Sequence, residues 1–315
     1  MRKVLGIISF FLLCSCVLYA QRIVFTPQWT PQSQFAGYYV AQEKGFYKKA
    51  GVEVDFQHPS ASYSAFNRLL EGSSDIITQQ LVQAVIGIDG GLPLVNILQT
   101  AQQTALVIAS RTKDIKTLED LKGKKVGVWK SGFADVARIM DVEKDLNIKW
   151  IPSLLHNASL FVSGAIDASM CMSYNEYLQI KAAGHDDKPA IRLADTEYNY
   201  PEDGLYTTVD FYRKYPEKVK AFAEASRRGW EWAHEHPEET LDIVMKWVRK
   251  EHIPTNRVLQ KNMLEEILYL QCMPGEDKPS FQLKPEMLDN LSNLLLKYRR
   301  IKEPVTMEML KGGEQ

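Results

Sequence analysis

The strongest constraint on this chain is a repeated switch between two hydrophobic periods. Ile23 to Pro27 reads as a strand, Phe35 to Ala50 as a helix closed by Gly51, and Val52 to Phe56 as a half-buried strand alternating apolar and acidic residues. A helix from Tyr63 to Glu71, stopped by Gly72, leads to a short strand over Asp75 to Thr78. Another helix, Leu81 to Asp89, ends at Gly90-Gly91. This β-α-β-α rhythm predicts a mostly parallel sheet with helices packed on its faces.

The rhythm is then interrupted. Leu94 to Leu98 and Ala105 to Ser110 are strand-like and flank a polar stretch containing Gln99, Gln102 and Gln103. It restarts at Lys125-Val126-Gly127-Val128-Trp129, with further strands expected near Ile148, Ala168 and Ile191. Helices are expected over Ala134 to Leu146, Leu160 to Ser163 and Glu176 to Ala183. Beyond Leu205 the chain is helix-rich. Val219, Phe222, Ala223, Ser226, Trp230 and Ala233 form one apolar stripe, and Pro237 and Pro285 open later helices. The expected organisation is a first lobe from residues 21–110 plus 205–315, with 111–204 inserted as a second lobe and the crossing near Arg111. Each lobe is expected to hold a mixed, mostly parallel sheet flanked by helices. A chain of 315 residues has the length for two such lobes.

Residues 1–20 read as an export signal: Arg2 and Lys3, an apolar run from Val4 to Leu13, then small residues ending at Ala20. Leu13-Cys14-Ser15-Cys16 also resembles a lipobox, which makes Cys16 the alternative, lipid-anchored start. A periplasmic location is expected in either case. A net charge of −1 provides no basic field for nucleic acid. Cys171 and Cys272 read either as buried thiols or as a disulfide, and no spacing suits a metal. His234 and His236, just before Pro237, read as solvated residues between two helices.

Three strand-to-helix loops are placed to meet between the lobes, where open α/β sheets bind ligands. In the first, Trp29 lies between Pro27 and Pro31, a rigid setting that suits stacking on a flat ring or covering the sheet edge. In the second, Ser131-Gly132 after Trp129 suits either a backbone contact to a ligand or ordinary helix capping. The third contains Tyr174, Asn175 and Glu176: an aromatic face, a donor–acceptor amide, and a carboxylate that either accepts from amino groups or balances a helix dipole. These loops bring aromatics and hydrogen-bonding groups together without a nucleophile paired to a base, which points to binding rather than catalysis.

Trp29-Thr30-Pro31 followed by Phe35-Ala36-Gly37-Tyr38-Tyr39-Val40-Ala41-Gln42-Glu43-Lys44-Gly45-Phe46-Tyr47 resembles the opening of the thiamine-pyrimidine-precursor binding proteins. Those are periplasmic components of ABC importers, related to fungal thiamine-pyrimidine synthases and alkanesulfonate-binding proteins. Leu121 to Val128, Gly229-Trp230-Glu231-Trp232-Ala233 and His236-Pro237-Glu238-Glu239 are similar to later parts of the family. The resemblance implies a two-lobed periplasmic-binding-protein-like fold of the second type, a monomer, and an ABC permease with its ATPase as partners. It implies a formylaminopyrimidine-type cargo and no cofactor. The implied ligand-binding set is Trp29, Gln34, Tyr38, Gln79, Trp129, Ser131, Gly132, Tyr174, Asn175 and Glu176, with Trp29 stacking on the ring and Glu176 meeting its amino group. Riboflavin or another flat heterocycle is the alternative cargo. Sulfonates fit less well, because Lys130 is the only cation in these loops. This chain carries Gln32 and Gln34 where the synthases use a histidine and a lysine, and it lacks their cysteine-rich motif. The synthase activity is therefore not expected.

Overall fold

The structure is a computed structural model that describes residues 22–59, 64–130, 134–153 and 157–312. The expected export segment, Cys16, Ser131 and Gly132 lie outside the described residues. In chain order the elements are β1 Ile23–Thr26, α1 Ala36–Glu43, α2 Phe46–Lys49, β2 Val54–Phe56, α3 Ala65–Leu70, β3 Ile76–Gln80, α4 Leu81–Asp89, β4 Leu94–Gln99 and β5 Leu106–Ser110. Then come β6 Lys125–Trp129, α5 Asp135–Glu143, β7 Lys149–Ser153, α6 Asn157–Ser163, β8 Ala168–Met172, α7 Glu176–Ile180, β9 Ala190–Arg192 and β10 Asp203–Thr208. The C-terminal part is helical: α8 Val209–Lys214, α9 Pro216–Glu235, α10 Pro237–Lys250, α11 Arg257–Leu270, α12 Pro285–Lys297 and α13 Met307–Leu310.

Two five-stranded sheets are present, in the orders β2-β1-β3-β10-β4 and β7-β6-β8-β5-β9. In the first, β1 runs parallel to β2 and β3, while β10 lies antiparallel between β3 and β4. In the second, β6 runs parallel to β7 and β8, while β5 lies antiparallel between β8 and β9. Both sheets are thus mixed and mostly parallel, as the β-α rhythm predicts. Each holds one reversed strand, and in each case it is the first strand built after the chain arrives from the other sheet.

This arrangement corrects the expected crossing. The segment Leu106–Ser110 was expected in the first lobe, but as β5 it bonds to β8 and β9 in the second sheet. The chain crosses earlier, over 100–105, and returns before Asp203. A single helix from Phe35 to Ala50 is also not what forms. Lys44 ends α1, and Gly45, at a φ of 71°, starts α2 in a new direction. A left-handed residue cannot continue an α-helix, and glycine adopts that conformation freely.

The aromatic residues of the opening helix explain its position. Tyr38 packs edge-on to Trp230 with ring centroids 5.4 Å apart, Tyr39 stacks on Trp247 at 4.6 Å, and Tyr47 stacks on Phe222 at 5.0 Å. All six rings are buried, and such pairs add to plain area burial. They fix α1 and α2 against the pair α9–α10. Close approach is needed as well. A Cβ at Gly37 would fall inside the Trp230 ring, and one at Gly229 would meet the Gly37 carbonyl oxygen.

Candidate ligand-binding site

The two crossing segments run side by side and are tied together. The backbone amides of Thr100 and Ala101 donate to the Asp203 carbonyl at 2.9 and 2.8 Å. Thr104 Oγ1 donates to the Glu202 carboxylate at 2.5 Å, and the Thr104 amide donates to Asn199 Oδ1 at 3.0 Å. Beside these crossings is a small cavity of about 20 Å³, lined by Gln34, Thr100, Ala101, Tyr174, Glu202, Asp203, Trp230, Ile267, Leu270 and Gln271. Residues of both lobes enclose it: Gln34 follows β1, Thr100 follows β4 and Tyr174 follows β8, each beyond the carboxyl end of its strand. A wider groove of about 320 Å³ runs along edge strand β4. Its polar residues include Lys220, Glu224 and Lys311, and it lies apart from these converging groups.

Asp203 organises the first loop. Its carboxylate accepts from Gln28 Nε2 at 2.9 Å and from Gln34 Nε2 at 2.7 Å, and Gln32 Nε2 in turn donates to Gln34 Oε1 at 2.7 Å. Gln32 and Gln34 thus join a neutral hydrogen-bond chain ending on one carboxylate. Burial raises the carboxyl of Asp203 above its usual range, and the two glutamine bonds oppose that shift. Glu202 is pushed up to about 8, mainly by burial and partly by the charge of Asp203, against the Thr104 hydrogen bond.

The predicted site residues fall into several groups. Gln34 and Tyr174 line the cavity. Tyr38 lies behind it, its hydroxyl near Thr100 and Trp230. Gln79 is buried at the end of β3, its Oε1 accepting from the Gln80 amide at 2.9 Å, opposite Gly204 of β10. Glu176 accepts from the Met172 amide at 3.0 Å and from the Trp129 side chain, and burial raises its carboxyl. It is therefore joined to Trp129 and does not line the cavity. Asn175 Oδ1 accepts from Gln179 Nε2 at 2.8 Å within the first turn of α7. Trp29 is 46% exposed and stands outside the cavity wall. Its carbonyl accepts from His58 Nδ1 at 2.8 Å, and Tyr39 bonds the other ring nitrogen at 3.1 Å. Burial holds the His58 pKa below its usual value.

Glu202, Asp203 and Trp230 are cavity residues outside the predicted set. Trp230 was read only as part of an apolar stripe. Cys171 and Cys272 are both buried free thiols. His236 is exposed between α9 and α10, as expected, and stacks on Trp232 with centroids 4.3 Å apart, whereas His234 is half-buried and its Nε2 bonds Gln271 Oε1 at 2.9 Å. Among the described residues no cluster of His, Cys, Asp or Glu is arranged to hold a metal, and no helix is long and apolar enough to cross a membrane.

Two mixed sheets with a cavity between them, at the strand ends, define a periplasmic-binding-protein-like fold. The solved periplasmic aliphatic sulphonate binding protein SsuA from Escherichia coli superposes with a TM-score of 0.62 at 16% identity, over 91% of each chain. The chain belongs to the NMT1/THI5 like family, whose pattern it matches over residues 32–240. A riboflavin-binding protein of Chloroflexus aurantiacus is 22% identical over 79% of this chain and 72% of its own. The formylaminopyrimidine-binding protein of Halalkalibacterium halodurans is 22% identical over 89% and 86%. A 4-amino-5-hydroxymethyl-2-methylpyrimidine phosphate synthase of Saccharomyces cerevisiae is 23% identical over 80% and 76%. Binding proteins and synthases thus both occur among the relatives.

Proposed function

We propose that this protein is the solute-binding component of an ABC importer, acting outside the cytoplasmic membrane, and that it captures a small heterocyclic thiamine precursor such as formylaminopyrimidine or hydroxymethylpyrimidine. The observation carrying this reading is the interlobe cavity, where Gln34, Tyr174, Asp203 and Trp230 converge. Aromatic walls with a few hydrogen-bonding groups recognise a flat heterocycle. The hydrogen-bond chain from Gln32 through Gln34 to Asp203 supports binding over synthesis, since it engages these side chains as neutral positioning groups. In this reading Trp29 swings over the ring as the lobes close, and the permease recognises the closed form.

The test is calorimetry on protein freed of carried-over ligand by partial unfolding and refolding. Formylaminopyrimidine, hydroxymethylpyrimidine, thiamine, riboflavin and taurine are titrated in turn. One-to-one binding of a pyrimidine, weakened by Trp29→Ala, is expected. Tight binding of riboflavin with none of the pyrimidines would keep the uptake role and replace the cargo. A purified protein that converts a pyrimidine precursor would contradict the non-enzymatic reading.

A further inference from the structure

The loop after β1 is fastened at both ends. The Gln28 amide donates to Thr78 Oγ1 of β3 at 2.8 Å, and the Ser33 amide donates to Gln260 Oε1 of α11 at 2.7 Å. Between these points the backbone is held from outside the cavity. His58, just beyond β2, bonds the Trp29 carbonyl through Nδ1 at 2.8 Å and the Tyr39 hydroxyl through Nε2 at 3.1 Å. The Tyr39 hydroxyl in turn accepts from the Gln32 amide. Trp29 and Gln32 are thus tied to α1 through a relay centred on an imidazole.

A carbonyl oxygen can only accept, so Nδ1 carries the hydrogen. That leaves Nε2 with its lone pair, and Tyr39 must donate to it. The relay therefore has a fixed sense: Gln32 N–H to the Tyr39 oxygen, Tyr39 O–H to Nε2, and Nδ1–H to the Trp29 carbonyl. The Tyr39 bond requires a neutral imidazole. A proton on Nε2 would meet the hydroxyl as a second donor, and the hydroxyl hydrogen would have to turn away. Tyr39 is fully buried and stacked on Trp247, so that hydrogen would lose its acceptor in a site closed to water. Phe35 and Tyr39 flank the imidazole, with ring centroids 6.1 and 5.9 Å away. Two charged groups reach it from the end of α10: Glu251 favours the protonated ring and Lys250 opposes it. Burial is the largest influence and holds the His58 pKa below the usual 6.5.

We propose that His58 is the positioning residue for the Trp29 loop and makes solute capture sensitive to acid: the neutral ring holds the loop in its binding geometry, and protonation releases it. This rests on the reading of the cleft as the solute site and adds a control that lies outside the cavity wall. With its carbonyl fixed, Trp29 reaches the solute by side-chain rotation alone. Once the carbonyl is released, the loop must be ordered again at the expense of affinity. Because burial depresses the His58 pKa, the loop-holding form is complete above the usual 6.5 and is lost as the pH falls through the lower folded value.

Nitrogen NMR of the imidazole rings tests this without any solute. Wild-type His58 should show a protonated Nδ1 and a bare Nε2 near neutral pH, and on acidification the Gln32 amide resonance should shift with the His58 midpoint. Tyr39→Phe keeps the ring on Trp247 and removes the hydroxyl that favours neutral His58, so the midpoint should rise. The opposite tautomer, or a Gln32 amide that ignores the His58 titration, would overturn the proposal whatever the cargo. Calorimetry with hydroxymethylpyrimidine then reads the consequence for binding. Between about pH 7.5 and about pH 5, wild-type affinity should weaken at least about fivefold more than that of His58→Asn, which keeps a donor for the Trp29 carbonyl and takes no proton. Titration of Asp203, Glu202 and the solute is common to both proteins and cancels in that comparison. Equal pH profiles would overturn the proposal while leaving the pyrimidine cargo standing. If His58→Asn does not fold, the nitrogen spectra and the Tyr39→Phe midpoint decide. Binding of riboflavin and no pyrimidine would replace the cargo, and the same comparison made with riboflavin would then decide.

Discussion

At the scale of single residues, Glu202 carries the clearest consequence. Its carboxyl is lifted from 4.5 to about 8 in the folded protein, chiefly by burial. The folded state holds a proton that the unfolded chain releases, so this group's stabilisation is complete below pH 4.5. It drains away as the pH rises and is gone above about 8. Glu202→Gln should therefore flatten the decline in Tm across that window, and parallel profiles for variant and wild type would contradict the assignment. The sequence does not announce this residue. Pro201-Glu202-Asp203-Gly204 looks like a polar turn, and its meeting with Gln28 and Gln34, about 170 residues earlier in the chain, is created only by sheet order. The loop residues Gln34 and Tyr174 were legible because strand-to-helix turns have a predictable place in an α/β sheet. Trp230 was legible only as core: its period is helical, and nothing in that period distinguishes a lining ring from a packed one.

At the scale of elements, the contact between α1 and α9 fixes the cavity wall. Gly37 and Gly229 let the helices approach until backbone and indole touch. Gly37→Ala inserts a methyl group where the Trp230 ring stands, and overpacking of this kind costs about 1–3 kcal/mol. Urea unfolding should show that loss, accompanied by weaker ligand binding because the ring is displaced. An unchanged midpoint would mean the helices separate freely. Most helices and the parallel strands were readable from their periods. The reversed strand β10 was not: Asp203 and Gly204 have low strand propensity, and Leu205 to Thr208 was taken as the start of the helical region. Strand β5 was readable as a strand but not by sheet, since an apolar run carries no record of its partner.

At the scale of the whole molecule, the two crossing segments join the lobes next to the cavity that the lobes enclose. Further ties bridge the lobes away from it, from Lys297 of α12 to Glu143 of α5 at 2.7 Å and between Arg192 of β9 and Glu266 of α11. The Lys297–Glu143 pair is largely solvated, and pairs of that kind are individually weak, while Arg192–Glu266 is half-buried. The account's central claim is that solute is captured between the sheets. The most direct test is a crystal structure of the protein grown with formylaminopyrimidine. Ligand density between Tyr174 and Trp230 is the predicted result. Density in the groove along β4, or a cavity that stays empty at saturating ligand, would contradict it.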